Sequence, residues 1–272
     1  MLFRSLGISL PQSFPEERID HAYLRAYVKL AEDLGFEDGW LTEGILSPNF
    51  HLEPVSYAAH LAALTTRLRL GIAVIILNTR NPVQLAKSLA TVDQLSNGRL
   101  IVGLGIGGGT ANYAAFGIPT EGRVARYEEA IHVMKALWTE ERVSFAGRIW
   151  QVQGRSMQPK PMQKPHMPLI FGGHAEAVLR RAVRLGDGWM AAGATSTEES
   201  LQSLAQIRGY LAEAGRSEAD FWLSKRLYIA IDEDEAAARQ KLTEALTYQY
   251  GGKDQSGDRK STRLNSSHYL IS

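Results

Sequence analysis

Seven short apolar runs alternate in order with amphipathic helical patterns, and this alternation constrains the fold more than any other feature of the sequence. The strand candidates are Leu6–Leu10, Gly39–Thr42, Leu68–Leu77, Leu100–Gly105, Leu169–Phe171, Gly188–Ala192 and Arg226–Ile231. Between them, Leu24, Tyr27, Ala31 and Leu34 fall at spacings of three and four, a helix face closed by Gly35. Pro54 opens a helix through Leu61 and Leu64, and Pro82 opens one carrying Leu85, Leu89 and Val92. Val124, Tyr127, Ile131, Met134 and Trp138 mark a fourth, and Val178 to Leu185 a fifth. Ser196 with Glu199, and Asp232 with Glu235, spell capping boxes for two more. Repeated strand–helix units place successive strands parallel.

The length of 272 residues suits a single (β/α)8 TIM barrel of about 250 residues. A doubly wound open sheet is the rival α/β architecture. Residues 139–167 interrupt the rhythm with Pro159, Pro161 and Pro165; proline excludes helix there, and the stretch reads as an insertion with an extended hairpin between units four and five. The pattern stops before an eighth unit. There Asp258 to His268 reads as the in-frame translation of a sequencing adapter, which Ile271-Ser272 continues, and Leu2 to Ser5 read as its partner. The expectation is one catalytic domain over residues 6–257, truncated, with non-native ends at 1–5 and 258–272.

Composition removes several functions. A net charge of +1 argues against nucleic acid or an anionic membrane as partner. The absence of cysteine excludes disulfides, thiolate metal sites and cysteine nucleophiles. No apolar run of about 18 residues predicts a membrane span, and a cytoplasmic setting is expected.

Local chemical patterns are sparse. Gly103, Gly105 and Gly108 satisfy G-x-G-x-x-G, but after the fourth strand and without an immediate helix. They read better as a glycine-rich loop that lets a flat ring approach the backbone. Gly172-Gly173-His174, between a strand and a helix, offers amides suited to a phosphate, and equally fits a plain turn. His51-x-Glu53 has metal-like spacing without a third ligand, so no metal is expected. No lysine falls at a predicted strand's carboxyl end, which weakens Schiff-base chemistry. With no side-chain set that performs difficult chemistry alone, a cofactor is implied.

An ordered set of motifs carries a resemblance over nearly all of residues 6–250. It comprises Arg80-Asn81-Pro82-Val83-Gln84-Leu85-Ala86-Lys87, Asp93-Gln94-Leu95-Ser96-Asn97-Gly98-Arg99-Leu100 and Gly103-Leu104-Gly105-Ile106-Gly107. Phe116-Gly117, Arg123, Arg126, Glu129 and Trp138 follow, then Pro159-Lys160-Pro161-Met162-Gln163, Gly172-Gly173 and Asp187-Gly188-Trp189. Together they resemble the bacterial luciferase-like monooxygenase family. The resemblance implies an eight-stranded barrel binding FMN or the deazaflavin coenzyme F420 at its carboxyl-end face. It implies that the ring lies near Glu43, Ala73, Val74, Gly107 and Gly108, with a non-proline cis bond at Ala73-Val74. It implies a phosphate at Gly172, Gly173 and His174, with Thr195 nearby. Glu43 is the candidate catalytic residue, but Gly44 stands where many members have histidine. Arg123, Arg126 and Glu129 read as helix-anchoring ion pairs, and Asp187-Gly188-Trp189 as a turn leading into a strand.

The implied function is an oxidoreductase acting on a small organic substrate, by oxygenation with FMN or hydride transfer with deazaflavin. A separate flavin or deazaflavin reductase, and homo-oligomerisation of the full-length protein, are the expected partnerships. The rival functions are a flavin-binding barrel without turnover and a cofactor-free barrel lyase or isomerase.

Overall fold

The computed structural model of the chain describes residues 5–107, 109–250 and 268–271. The chain divides into two compact units, Met1–Leu169 and Ile170–Ser272. The adapter-like readings at residues 1–4, 258–267 and 272 lie outside the described residues.

In the first unit, β1 (Gly7–Ser9), β2 (Asp38–Leu41), β3 (Arg69–Ile76) and β4 (Leu100–Gly105) pair in that order, all parallel. Helices α1 (His21–Asp33), α2 (Pro54–Leu64) and α3 (Pro82–Leu95) make the crossovers, and α4 (Arg123–Thr139) follows β4. Each crossover helix has a sequence-encoded start. Asp20 accepts the amides of Ala22 and Tyr23, Glu53 accepts Ser56 ahead of Pro54, and Asn81 accepts Val83 and Gln84 ahead of Pro82. The core fills with Leu61, Leu70, Ile72, Leu85, Leu89, Leu100 and Val102. On α1 the buried face is Leu24, Val28 and Ala31, not the expected line to Leu34. Leu34 is the C-cap and 68% exposed, and Tyr27 turns its hydroxyl to the Ser9 carbonyl. After α4, β5 (Val143–Ala146) and β6 (Gln151–Arg155) form an antiparallel hairpin.

The second unit carries the parallel strands β7 (Leu169–Gly172), β8 (Gly188–Ala191) and β9 (Trp222–Lys225), connected by α5 (Glu176–Leu185) and α6 (Thr197–Glu213). The Ser196–Glu199 capping box opens α6. One strand expectation is corrected. The strand that pairs with β8 is β9, not Arg226–Ile231. Trp222 N–H donates to the Asp187 carbonyl, and the backbone at Gly188 closes on Trp222 so tightly that a Cβ would stand 2.5 Å from the Trp222 Cβ. The more apolar stretch forms β10 (Tyr228–Ile231), which pairs in parallel with β11 (His268–Ile271) and leaves Ile231 68% exposed. Between these two strands runs α7 (Glu235–Tyr250). Its first turn is capped by Asp234, which accepts the Ala237 amide, rather than by the expected Asp232 box.

Candidate functional site

In the first unit, polar side chains gather at the carboxyl ends of β1, β2 and β3. Gln12 is a buried clamp between the segments that follow β1 and β2. Its Nε2 donates to the Thr42 and Leu52 carbonyls at 2.8 and 2.7 Å, and its Oε1 accepts the Thr42 amide at 2.8 Å. Next to Thr42, the Glu43 side chain is only 2% exposed. One carboxylate oxygen accepts the Ile76 amide, and the other accepts Arg80 Nε at 2.8 Å and Arg80 Nη2. Arg80 also reaches Glu53 at 2.8 Å. Burial works against the Arg80 charge, but the two carboxylates outweigh it and hold the guanidinium above its ordinary range. Glu43 is therefore a fixed, doubly engaged carboxylate.

His51 lies in the same cluster. Its Nδ1 is 2.7 Å from Ser13 Oγ and its Nε2 3.3 Å from the Thr42 carbonyl oxygen. A Cβ placed on Gly44 would meet His51 Cδ2 at 3.1 Å, so the ring occupies the space a side chain at position 44 would need.

The middle of β3 is irregular. Its pairing with β4 shifts between Ile72 and Ile75, and the Ala73–Val74 peptide bond is cis. Gly103 and Gly105 make room for this bulge. A Cβ on Gly103 would stand 2.3 Å from the Ile72 carbonyl oxygen, and one on Gly105 2.6 Å from Val74 Cγ2. Two glycines of the G-x-G-x-x-G pattern thus serve strand packing. Gly107 turns the chain after β4 at φ +85. Gly108 lies outside the described residues. Close to Gly107, Tyr113 donates to the Ile106 carbonyl, and Asn78 Nδ2 donates to the Tyr113 hydroxyl and the Arg123 carbonyl. The other amide atom, Asn78 Oδ1, is buried without a hydrogen-bond partner among the described residues.

In the second unit, Gly173 adopts φ +122 between β7 and α5, and its carbonyl accepts Trp189 Nε1 at 2.7 Å. His174 is near enough to Glu199 to help hold that carboxylate below its ordinary range, after the larger effect of the Ser196 amide. Thr195 is buried, and its carbonyl accepts Lys225 Nζ at 2.6 Å; the same ammonium donates to Ala192 O at 2.7 Å. Lys225 ends β9, which corrects the expectation that no strand finishes on lysine; the misplaced strand had hidden it. Burial lowers its pKa.

Several motif residues build corners instead. Buried Asp93 accepts the Gln163 backbone amide and side-chain amide at 3.0 and 2.7 Å. Arg99 donates to the carbonyls of Ala62, Thr65, Leu68 and Ser96, tying the end of α2 to the starts of β3 and β4. Glu129 makes no pair with Arg123 or Arg126. Its carboxylate accepts the Arg148, Ile149 and Trp150 amides and holds the β5–β6 turn, while Arg126 Nε is buried without a partner among the described residues.

The sequence pattern of the luciferase-like monooxygenase family matches residues 5–269. The chain belongs to the luciferase-like monooxygenase family. It is 30% identical over 234 residues to the FMNH2-dependent dimethylsulfone monooxygenase of Pseudomonas putida, covering 84% of this chain and 63% of that protein. It is 30% identical over 218 residues to the F420-dependent glucose-6-phosphate dehydrogenase of Kineococcus radiotolerans, covering 76% and 64%. The crystal structure of monooxygenase RslO1 from Streptomyces bottropensis is similar with a TM-score of 0.78 and 28% identity, over 91% of this chain and 78% of that one. The chain spans about three fifths of the length of these curated relatives. Relatives in this family thus include both FMNH2- and F420-dependent enzymes, the two cofactors expected from the sequence. Among the described residues, no helix is long and apolar enough to cross a membrane.

No local spacing in the sequence singles out Gln12, Ser13, Asn78 or Lys225, and His51 stands out there only by its metal-like spacing to Glu53. The available signal was position: Gln12 and Ser13 follow the first strand closely, where a parallel β/α fold places its functional side chains.

Proposed function

We propose that this luciferase-like protein is an oxidoreductase that uses reduced FMN or coenzyme F420 at the carboxyl ends of its parallel strands, on a small organic substrate. The observation that carries the reading is the β3 bulge at Ala73–Val74 seated on Gly103 and Gly105. On this reading the Ala73–Val74 segment, braced by Gly103 and Gly105, backs a planar ring system. Asn78 Oδ1, buried without a hydrogen-bond partner among the described residues, adds a polar atom that a ligand donor would satisfy.

On this reading Ala73, Val74 and Gly107 border the ring, and Glu43 acts as a fixed acceptor rather than a mobile acid. Gly172, Gly173, His174 and Thr195 receive the phosphate, and Lys225 supplies a nearby positive charge. When bound, reduced FMN would supply electrons to oxygen, whereas F420 would exchange a hydride with the substrate, as donor when reduced and as acceptor when oxidised; the protein orients the substrate and excludes water. The reading keeps the eight-stranded barrel as architecture, residues 139–167 as an insertion, a cytoplasmic setting, homo-oligomerisation and a separate reductase partner.

The test is turnover by the purified chain. Dimethylsulfone with reduced FMN in air, and glucose 6-phosphate with F420, head a panel of small sulfur compounds, alcohols and ketones. Substrate-dependent consumption of one cofactor is expected. Cofactor binding without consumption across the panel would favour the flavin-binding barrel that does not turn over.

A further inference from the structure

We infer that Ser13 and His51 form a proton-transfer pair at the carboxyl ends of β1 and β2, acting on an oxygen of the bound substrate; this rests on the oxidoreductase reading. The Thr42 carbonyl facing His51 Nε2 can only accept, so the neutral ring carries its proton on Nε2. Nδ1 is then the acceptor for the Ser13 hydroxyl at 2.7 Å, which leaves the oxygen lone pairs of Ser13 free to face a ligand. Both residues are half-buried, so the pair is shielded yet reachable. Gly44 is what lets the ring sit there, because any larger residue would contact the imidazole edge. An imidazole thus lies against position 44, where many members of the family have histidine.

The step balances without a further reactant. A substrate hydroxyl proton moves to Ser13 Oγ as the Ser13 proton moves to Nδ1, leaving an alkoxide and an imidazolium held by Thr42. In reverse, the pair protonates an oxyanion. The charged groups on the surrounding segments are Glu43, Glu53 and Arg80, and the first two are already paired with the third. The imidazole is the base that faces Ser13.

A serine hydroxyl hydrogen-bonded to such a base also attacks an organic fluorophosphonate: the Oγ–P bond forms, fluoride leaves and the proton passes to Nδ1. The full chain is therefore treated with a fluorophosphonate and mapped by mass spectrometry. A stable adduct at Ser13 is expected. His51→Gln retains an amide able to reach Thr42 and His51→Asn one able to reach Ser13, but neither takes up a proton. Both are expected to lower the labelling rate at least tenfold, with the melting temperature and cofactor-induced spectral changes retained. Absence of label on Ser13, or equal labelling in either folded variant, would overturn the pair. If the wild type labels at Ser13 yet binds neither FMN nor F420, the pair stands and the oxidoreductase reading fails.

Discussion

Gly103 faces the carbonyl oxygen of Ile72 so closely that a Cβ would stand 2.3 Å away, with backbone rather than a yielding side chain as the obstacle. Gly103→Ala is expected to destabilise the protein by about 2–3 kcal/mol, the cost typical of overpacking. Gly105→Ala meets only the Val74 methyl and should cost about half as much. Urea denaturation of the two variants checks the order; equal midpoints with wild type would show that the bulge yields.

The Glu43–Arg80 pair predicts an asymmetric pair of variants. Arg80→Ala strands a nearly fully buried carboxylate and should cost about 3 kcal/mol or more. Glu43→Gln retains an acceptor for the Ile76 amide and leaves Arg80 paired with Glu53, so it should cost roughly half of that. Chemical denaturation at neutral pH measures both, and a reversed order would contradict the geometry.

The parallel alternation of the first unit was legible because each strand there is apolar and each crossover helix opens on a side-chain cap. The seventh strand was not. Trp222–Lys225 is short and half-polar, whereas the neighbouring Tyr228–Ile231 is more apolar yet leaves Ile229 and Ile231 exposed. Hydrophobicity pointed to the wrong stretch and so concealed Lys225. The glycines were legible as close approaches, but their contact, a bulge in β3, depends on pairing register. The roles of Gln12 and His51 depend on loops meeting after folding, which no local spacing records.

Glu129 predicts a pH dependence. Burial tends to raise its pKa, but the Trp150, Ile149 and Arg148 amides outweigh that and lower it. A carboxylate with a lowered folded pKa contributes stability that is complete above its unfolded pKa of about 4.3 and is lost as pH falls through the folded value. Glu129→Gln should therefore cost about 1 kcal/mol at neutral pH, with the solvent-facing turn limiting the effect. The cost should shrink as pH falls below about 4. Melting curves from neutral to acid pH follow this; a cost independent of pH would assign Glu129 a packing role only.

Gly44 carries a steric prediction. Gly44→Val places branched carbons in the space held by His51 Cδ2 and should break the Ser13–His51 hydrogen bond, whereas Gly44→Ala needs a shift of only a few tenths of an ångström. Histidine ring nitrogen NMR shifts report the change: the His51 Nδ1 acceptor signal should survive in the alanine variant and be lost in the valine variant. An unchanged signal in both would show that the ring does not depend on the empty position.

The central claim, that the bulge on Gly103 and Gly105 with the Gly107 turn receives a flavin-type ring, is tested most directly by equilibrium titration of the chain with FMN and with F420, followed by cofactor fluorescence. Saturable one-to-one binding of at least one cofactor is predicted, weakened at least tenfold in a folded Gly107→Val variant. Binding of neither cofactor at concentrations that saturate related enzymes, or equal affinity in the variant, would contradict the account.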